Sequence, residues 1–240
     1  MRNSVSIFFF VLMVPAVLLG STRQAQAQAQ AQADPYPAMA PLDQYLIPDE
    51  NAEIALARSA APASISDDAT VMVLGRQGYT TAVQGKNGFL CYVERSWAHY
   101  TDHPEFWNPK ARTPNCFNAA AASSVTPLYL MKSRLVLAGK SKAEIAQAIA
   151  AALDSGKLPA LAPGSMCYMM SREQYINDQA HGWHPHVMFY AAGDVAKSWG
   201  ANLPGSPVFA GPYDPQSRLT TFIVVVNHWS DGTPGPPMEH

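Results

Sequence analysis

The pattern of apolar and polar positions divides the chain into a leader and a body. The leader begins with the single charge of Arg2, followed by about fifteen apolar residues from Val5 to Leu19, broken by Pro15. Crossing a bilayer as a helix takes ~20 such residues, so this run is too short and too interrupted to span. Gln and Ala then alternate from Gln24 to Ala33 and repeat Ala-Gln-Ala in several registers. Signal peptidase reads small residues at −3 and −1, so residues 1–33 are expected to be a secretory signal with a Gln/Ala spacer, cut between Ala25 and Ala33. Leu18-Leu19-Gly20 is followed by Ser21 where lipid attachment would need Cys, and no second Arg stands beside Arg2. A lipid anchor and a twin-arginine route are therefore not expected.

Residues 34–240 read as one soluble α+β domain. Asp34 to Ile47 is dotted with proline and predicts an extended lead-in. Asp49 is placed to cap a helix, with Glu50 and Glu53 at its positive end and Ile54, Ala55 and Leu56 for contacts, stopped by Pro62. Val71–Leu74, Gly78–Gln84 and Gly88–Ser96 read as strands, and Gly85-Lys86-Asn87-Gly88 supplies the positive φ of a hairpin turn. Residues 71–96 are thus expected to form a three-stranded meander. Trp97 to Phe117 has prolines and aromatics without a period and reads as a long ordered loop, a type of segment that is often functional.

Ala119–Ala138 is predicted helical, interrupted near Pro127 and ended by Gly139. Ser141 to Glu144 is a capping box opening a helix to Asp154. A strand over 165–170 precedes a second capping box, Ser171-Arg172-Glu173-Gln174, expected to open a short helix. His186–Tyr190 and Leu219–Val226 read as strands, and residues 231–240 as a turn-rich, flexible tail. Strands come in a run and then mix with helices, which points to α+β with a mostly antiparallel sheet.

Composition narrows the function. Sixteen Lys and Arg face eighteen acids. Loss of Arg2 and Arg23 with the leader would leave a net charge near −4 and roughly 207 residues. No basic cluster appears, so no nucleic-acid partner is expected. Charged residues make up 14% of the chain, below the usual ~25%. Three cysteines, Cys91, Cys116 and Cys167, allow one disulfide in an oxidising compartment. Cys91–Cys116 is favoured, because a proline-rich irregular stretch carrying Cys116 can fold back onto the strand carrying Cys91. Closing that loop would contribute about 3–4 kcal/mol. Cys91–Cys167, tying two strands together, is the rival pairing.

Four segments form a recognisable set: Leu56-Ala57-Arg58-Ser59-Ala60-Ala61-Pro62, Asn87-Gly88-Phe89-Leu90-Cys91-Tyr92-Val93-Glu94-Arg95, Cys167-Tyr168-Met169-Met170-Ser171 and Pro185-His186-Val187-Met188-Phe189. The set resembles a group of uncharacterised secreted bacterial proteins. The resemblance covers most of the chain after the leader and implies a bacterial source. It carries over no activity and no site residue.

Candidate chemistry is concentrated in a few places. In an extended segment His184 and His186 point to one face and form a two-imidazole metal site that lacks a third ligand. His181, His228, Glu94 or the loop histidines would have to supply it. The plainer reading makes His186 a hydrogen-bonded core residue and His184 a surface one. His99, Asp102, His103 and Glu105 cluster in the aromatic loop, and Cys91, His99, His103 and Cys116 form a formal zinc set that export disfavours. Adjacent residues Glu94 and Arg95 must face opposite sides of the sheet, one in a structural ion pair or against a ligand. Cys167 sits among apolar neighbours, unlike a nucleophilic thiol.

No Gly-x-Ser-x-Gly elbow, His-Glu-x-x-His, phosphate loop or dinucleotide fingerprint occurs. The expectation is a non-catalytic binding or interaction module without a cofactor, taking a small molecule or protein. Its ligand candidates are Glu94, Arg95, Trp97, Tyr100, Trp107 and Trp183. The alternative is a metal-dependent, hydrolase-like enzyme using zinc or another divalent metal at His184, His186, His99 and His103.

Overall fold

The computed structural model describes residues 34–237. The leader, the signal cleavage site and the last three residues lie outside that range. Eight strands form one sheet: β1 (Thr70–Gly75), β2 (Gly78–Val83), β3 (Leu90–Glu94), β4 (Thr113–Phe117), β5 (Met166–Met169), β6 (His186–Ala192), β7 (Val208–Ala210) and β8 (Leu219–Val225). Their spatial order is β2-β1-β3-β4-β5-β6-β8-β7. Every neighbouring pair is antiparallel except β1 and β3. Five α-helices occur among the described residues: α1 (Glu50–Arg58), α2 (Ala63–Ser66), α3 (Ala119–Ser124), α4 (Thr126–Leu137) and α5 (Lys142–Asp154). The fold is α+β with a mostly antiparallel sheet.

The local signals for helix ends act as expected. Asp49 caps α1 by accepting from Asn51 N–H at 2.9 Å, and Ser141 and Glu144 form the reciprocal capping box of α5. The break between α3 and α4 falls at Val125, ahead of Pro127. Proline fits the first turn of a helix, where its missing N–H has no partner to lose.

The meander expected over 71–96 is not formed. β1 and β2 make a hairpin around Arg76 and Gln77, but β3 joins the other edge of β1 and runs parallel to it. The Gly85–Gly88 segment carries the chain from β2 past the end of β1 to β3 and is not a hairpin turn. Lys86 N–H donates to Asp68 O at 2.9 Å, and Thr70 N–H to Phe89 O at 2.9 Å. The glycine is needed there for close passage, because a Cβ at Gly85 would lie 2.2 Å from the backbone of Ala69 and Thr70.

Three other expectations change. The long loop ends earlier, so Cys116 stands on β4 in register with Cys91 on β3. The favoured disulfide, Cys91–Cys116, is present as a cross-strand link. Ser171 opens no helix; its hydroxyl accepts from Glu173 N–H at 3.1 Å and pairs with Ser59 Oγ at 2.6 Å. The chain after it is instead drawn into a bridge, with Arg112 and Tyr175 exchanging both backbone hydrogen bonds at 2.8 Å. The short edge strand β7 had no signal of its own.

Side-chain alternation along the paired strands sorts the sheet into two faces. One face carries Cys91, Val93 and Cys116, which pack with Val71 and with Ala57 of α1 and the following Ala60 and Ala61. The other carries Tyr92, Glu94, Asn115, Phe117, Cys167, Met169, His186, Met188 and Tyr190. Helices α3 and α4 cover its Tyr92–Phe117–Cys167 part through Ala121, Val125 and Tyr129. The remainder of that face is roofed by loops alone.

Candidate functional site

A cavity of about 470 Å³ lies under those loops. Its floor is the helix-free part of the second face: Glu94, Thr113, Asn115, Met169, His186, Met188, Tyr190, Thr221 and Ile223. One wall is the turn Ser96–His99 with Tyr129 of α4. The other is the loop carrying Ile176, Asn177, Ala180 and Trp183.

Both loops are held in place by polar contacts. In the 97–112 loop, Trp97 Nε1 donates to Ser133 Oγ at 2.9 Å, Ser96 Oγ to Phe106 O at 2.8 Å, and Tyr45 OH to Trp107 O at 2.7 Å. The second loop is tied through Asp178, which accepts from Tyr175 and Tyr36 hydroxyls at 2.6 and 2.5 Å and from Lys110 Nζ at 3.0 Å. Those bonds, Tyr175 foremost, keep the Asp178 carboxyl well below the usual carboxylate range.

Glu94 is the polar centre of the floor. Its Oε1 accepts from Tyr92 OH at 3.2 Å and its Oε2 from Asn115 Nδ2 at 3.0 Å. Asn115 Oδ1 faces Cys167 Sγ at 3.6 Å, and Sγ lies 3.1 Å from Tyr190 OH. Burial pushes the Glu94 carboxyl up to about 7, against the pull of Tyr92, Lys132 and Asn115. Lys132 of α4 is itself buried and pushed down to about 8. It donates to the carbonyls of His99 and Ala98 at 3.0 and 3.4 Å. Burial also drives the Cys167 thiol upward, which suits a packing residue and not a nucleophile.

The residues singled out by sequence fall into distinct environments. Glu94 and Trp183 line the cavity. Arg95 reaches it only beside its own turn. Its guanidinium crosses to the opposite face, where Nη2 meets Glu53 at 2.9 Å and Nε donates to Tyr45 O at 2.7 Å. Trp97 and Trp107 are buried with Phe106 in the aromatic and helical core and do not line this cavity. Tyr100 is half exposed and borders a separate hollow with Asp102 and Tyr213.

The histidines divide in the same way. His186 is 3% exposed, and its Nδ1 lies 2.7 Å from His184 O. His184 is half-buried and does not reach the cavity; its Nδ1 makes no hydrogen bond. His99 and His103 stack with centroids 4.1 Å apart. Burial brings His99 down to about 4, with His103 and Lys132 adding to the effect. His181 and His228 are exposed. Among the described residues no three His, Cys, Asp or Glu side chains form a group that could hold a metal ion. Asn115, Met188, Tyr129, Tyr190, Thr221 and Ile223 were missed by sequence reasoning. Tyr129 comes from α4; the common signal of the others is position on one face of paired strands, which needs the pairing to be known.

No protein-family model, no curated protein and no solved structure matches the chain.

Proposed function

We propose that this is an exported domain that binds a small, largely apolar molecule in the cavity between the second face of the sheet and its two loops. The observation that carries the reading is the cavity's chemistry. Met169, Met188 and Ile223 of the floor and Trp183 of the wall give apolar surface around a few polar groups, of which Glu94, held by Asn115, is the one carboxyl among the described lining residues. Small-molecule sites are concavities of ~300–1,000 Å³, mostly apolar, with a few placed polar groups that orient the ligand. Export is supported by the leader's composition and by the Cys91–Cys116 disulfide, a bond that persists in oxidising compartments. No helix among the described residues is long and apolar enough to cross a membrane.

Titration of the purified protein with the neutral dye N-phenyl-1-naphthylamine tests the reading. The dye brightens when it leaves water, and saturable binding is expected. Ile223→Trp, which fills the cavity, should weaken binding at least tenfold without unfolding the protein. Equal binding by both forms, or none by either, would overturn the proposal. The metal-dependent reading has one observation in its favour: His99 and His186 both line the cavity that contains Glu94. One equivalent of zinc, copper or iron in the purified protein, lost in both His99→Ala and His186→Ala, would put it first.

A further inference from the structure

The charge arrangement in the cavity narrows the class of ligand, taking the cavity as the binding site. Among the described residues that line it, Glu94 alone carries a carboxyl group. The residue is 9% exposed, and each of its oxygens accepts one hydrogen bond from a neutral donor, Tyr92 or Asn115. A carboxylate has about four acceptor positions, so acceptor capacity remains. No cation completes it, because the two nearby are already engaged. Arg95 spends its guanidinium on Glu53, Tyr45 O and Val93 O beyond the sheet. Lys132 turns its ammonium to the carbonyls of Ala98 and His99 and forms no ion pair with Glu94 within 4.0 Å.

The other lining groups match a positive ligand too. His186 must place its proton on Nδ1 to donate to His184 O, which leaves Nε2 as an acceptor. Burial lowers both His99 and His186, so neither adds a positive charge at neutral pH. Trp183, Tyr129 and Tyr190 supply aromatic rings, whose faces attract cations. A negative ligand would meet the Glu94 charge in a site that screens it poorly. A neutral one would leave Glu94 without a counter-ion and hold it toward its protonated form, forgoing the charge-assisted contact an amine gains.

We infer that the cavity recognises an organic amine: an apolar body bearing one protonated nitrogen that takes Glu94 as its counter-ion. The nitrogen's N–H groups match the open acceptor positions on Glu94, and the apolar body replaces water against Met169, Met188 and Ile223.

The test compares three compounds with the same phenyl body and different heads: phenethylamine, 2-phenylethanol and 3-phenylpropanoate. Each is used to displace N-phenyl-1-naphthylamine from the purified protein at pH 7.5. Phenethylamine is expected to compete at least tenfold better than the alcohol, and the carboxylate worst. In Glu94→Gln, which keeps the side chain's shape, the amine should fall to within twofold of the alcohol. A pH series on the unaltered protein makes the same discrimination without a variant. The amine's advantage should shrink between pH 7.5 and 5.5 as Glu94 takes up a proton, while the alcohol stays level. Over that range His99 remains neutral, Lys132 stays mostly charged and burial holds His186 toward its neutral form, and in Glu94→Gln the pH effect on the amine should vanish. Equal displacement by amine and alcohol, displacement led by the carboxylate, no displacement by any of the three, or an advantage that survives Glu94→Gln would each overturn the inference. Failure of the dye itself to bind would instead overturn the cavity as a binding site.

Discussion

The two faces of the sheet each hold a buried charge at the end of β3, and they treat it in opposite ways. Arg95, 1% exposed, is matched by Glu53 of α1 and by two backbone carbonyls. Glu53 also accepts from Leu74 N–H at 3.1 Å and so ties α1 to β1 as well as to β3. That face adds the Cys91–Cys116 link and close-packed alanines. Glu94, one residue earlier, meets only neutral donors and opens into a cavity. A charge paired with an opposite charge and bonded at all three guanidinium nitrogens anchors structure, whereas a charge left without a counter-ion is a feature that stability alone does not call for. The contrast separates the scaffold from the surface proposed to bind.

The largest expected effect breaks the scaffold side. Glu53→Ala leaves the Arg95 guanidinium buried without its partner, and losses of ~3–5 kcal/mol are typical of that change. Denaturant unfolding should show it as a large fall in the transition midpoint. A change under 1 kcal/mol would mean that Arg95 does not depend on Glu53.

The disulfide comes next. Replacing Cys91 and Cys116 together with Ala opens a loop with a sequence separation of 25, and the chain-entropy model puts the loss at about 3.5 kcal/mol. Protein unfolded without reductant should show one reactive thiol, that of Cys167. Three reactive thiols would show that the link does not form.

The third prediction sharpens the contrast through pH. The Glu94 carboxyl is raised from 4.5 to about 7 in the folded chain. Folding therefore favours its protonated form, and the group destabilises increasingly as pH rises from 4.5 through 7. With 1.36 kcal/mol per pKa unit, Glu94→Gln should gain roughly 2–3 kcal/mol relative to the natural protein between pH 4.5 and 8. Parallel stability curves for the two proteins over that range would show that Glu94 titrates normally.

The smallest effect is a control. His184 does not line the cavity, and its backbone carbonyl, which any residue there would keep, serves His186. His184→Ala, which removes a half-buried ring packed edge-on against Trp183, should change stability by no more than ~1 kcal/mol and leave dye affinity within twofold. A lost metal equivalent or a tenfold loss of dye affinity would place His184 in the site.

Where the chain's regular structure depends on neighbours in sequence, it was legible. The Asp49 cap, the Ser141–Glu144 box and the break before Pro127 follow from groups within four residues of one another. The same rule misled at Ser171, whose capping-box pattern was overridden by a bond to Ser59 and by the pairing of Tyr175 with Arg112. It also misled at Gly85–Gly88, because glycine serves a tight turn and a close backbone crossing equally well, and local sequence does not say which. At the candidate site, Glu94 and Trp183 were visible as a charge ending an apolar strand and an aromatic beside a histidine pair. Asn115, Met188 and Ile223 were not: Asn115 fell in the segment read as a loop, and Met188 and Ile223 look like ordinary strand residues until β4, β6 and β8 are aligned.

The sequence by itself determined six of the eight strands, β1, β2, β3, β5, β6 and β8, and the helices α1, α3, α4 and α5, together with the favoured pairing of Cys91 with Cys116 and the parting of Glu94 and Arg95 to opposite faces. These rest on covalent alternation, local capping and cysteine spacing. Tertiary structure alone decided that β3 lies parallel to β1, that Trp97 and Trp107 belong to the core, and that Glu94 faces a cavity while Arg95 faces Glu53. Those outcomes turn on contacts between residues far apart in the chain, such as Arg95 with Glu53 and Asp178 with Tyr36. Which distant partner a buried charge or ring meets depends on how the elements pack, and no local pattern encodes it.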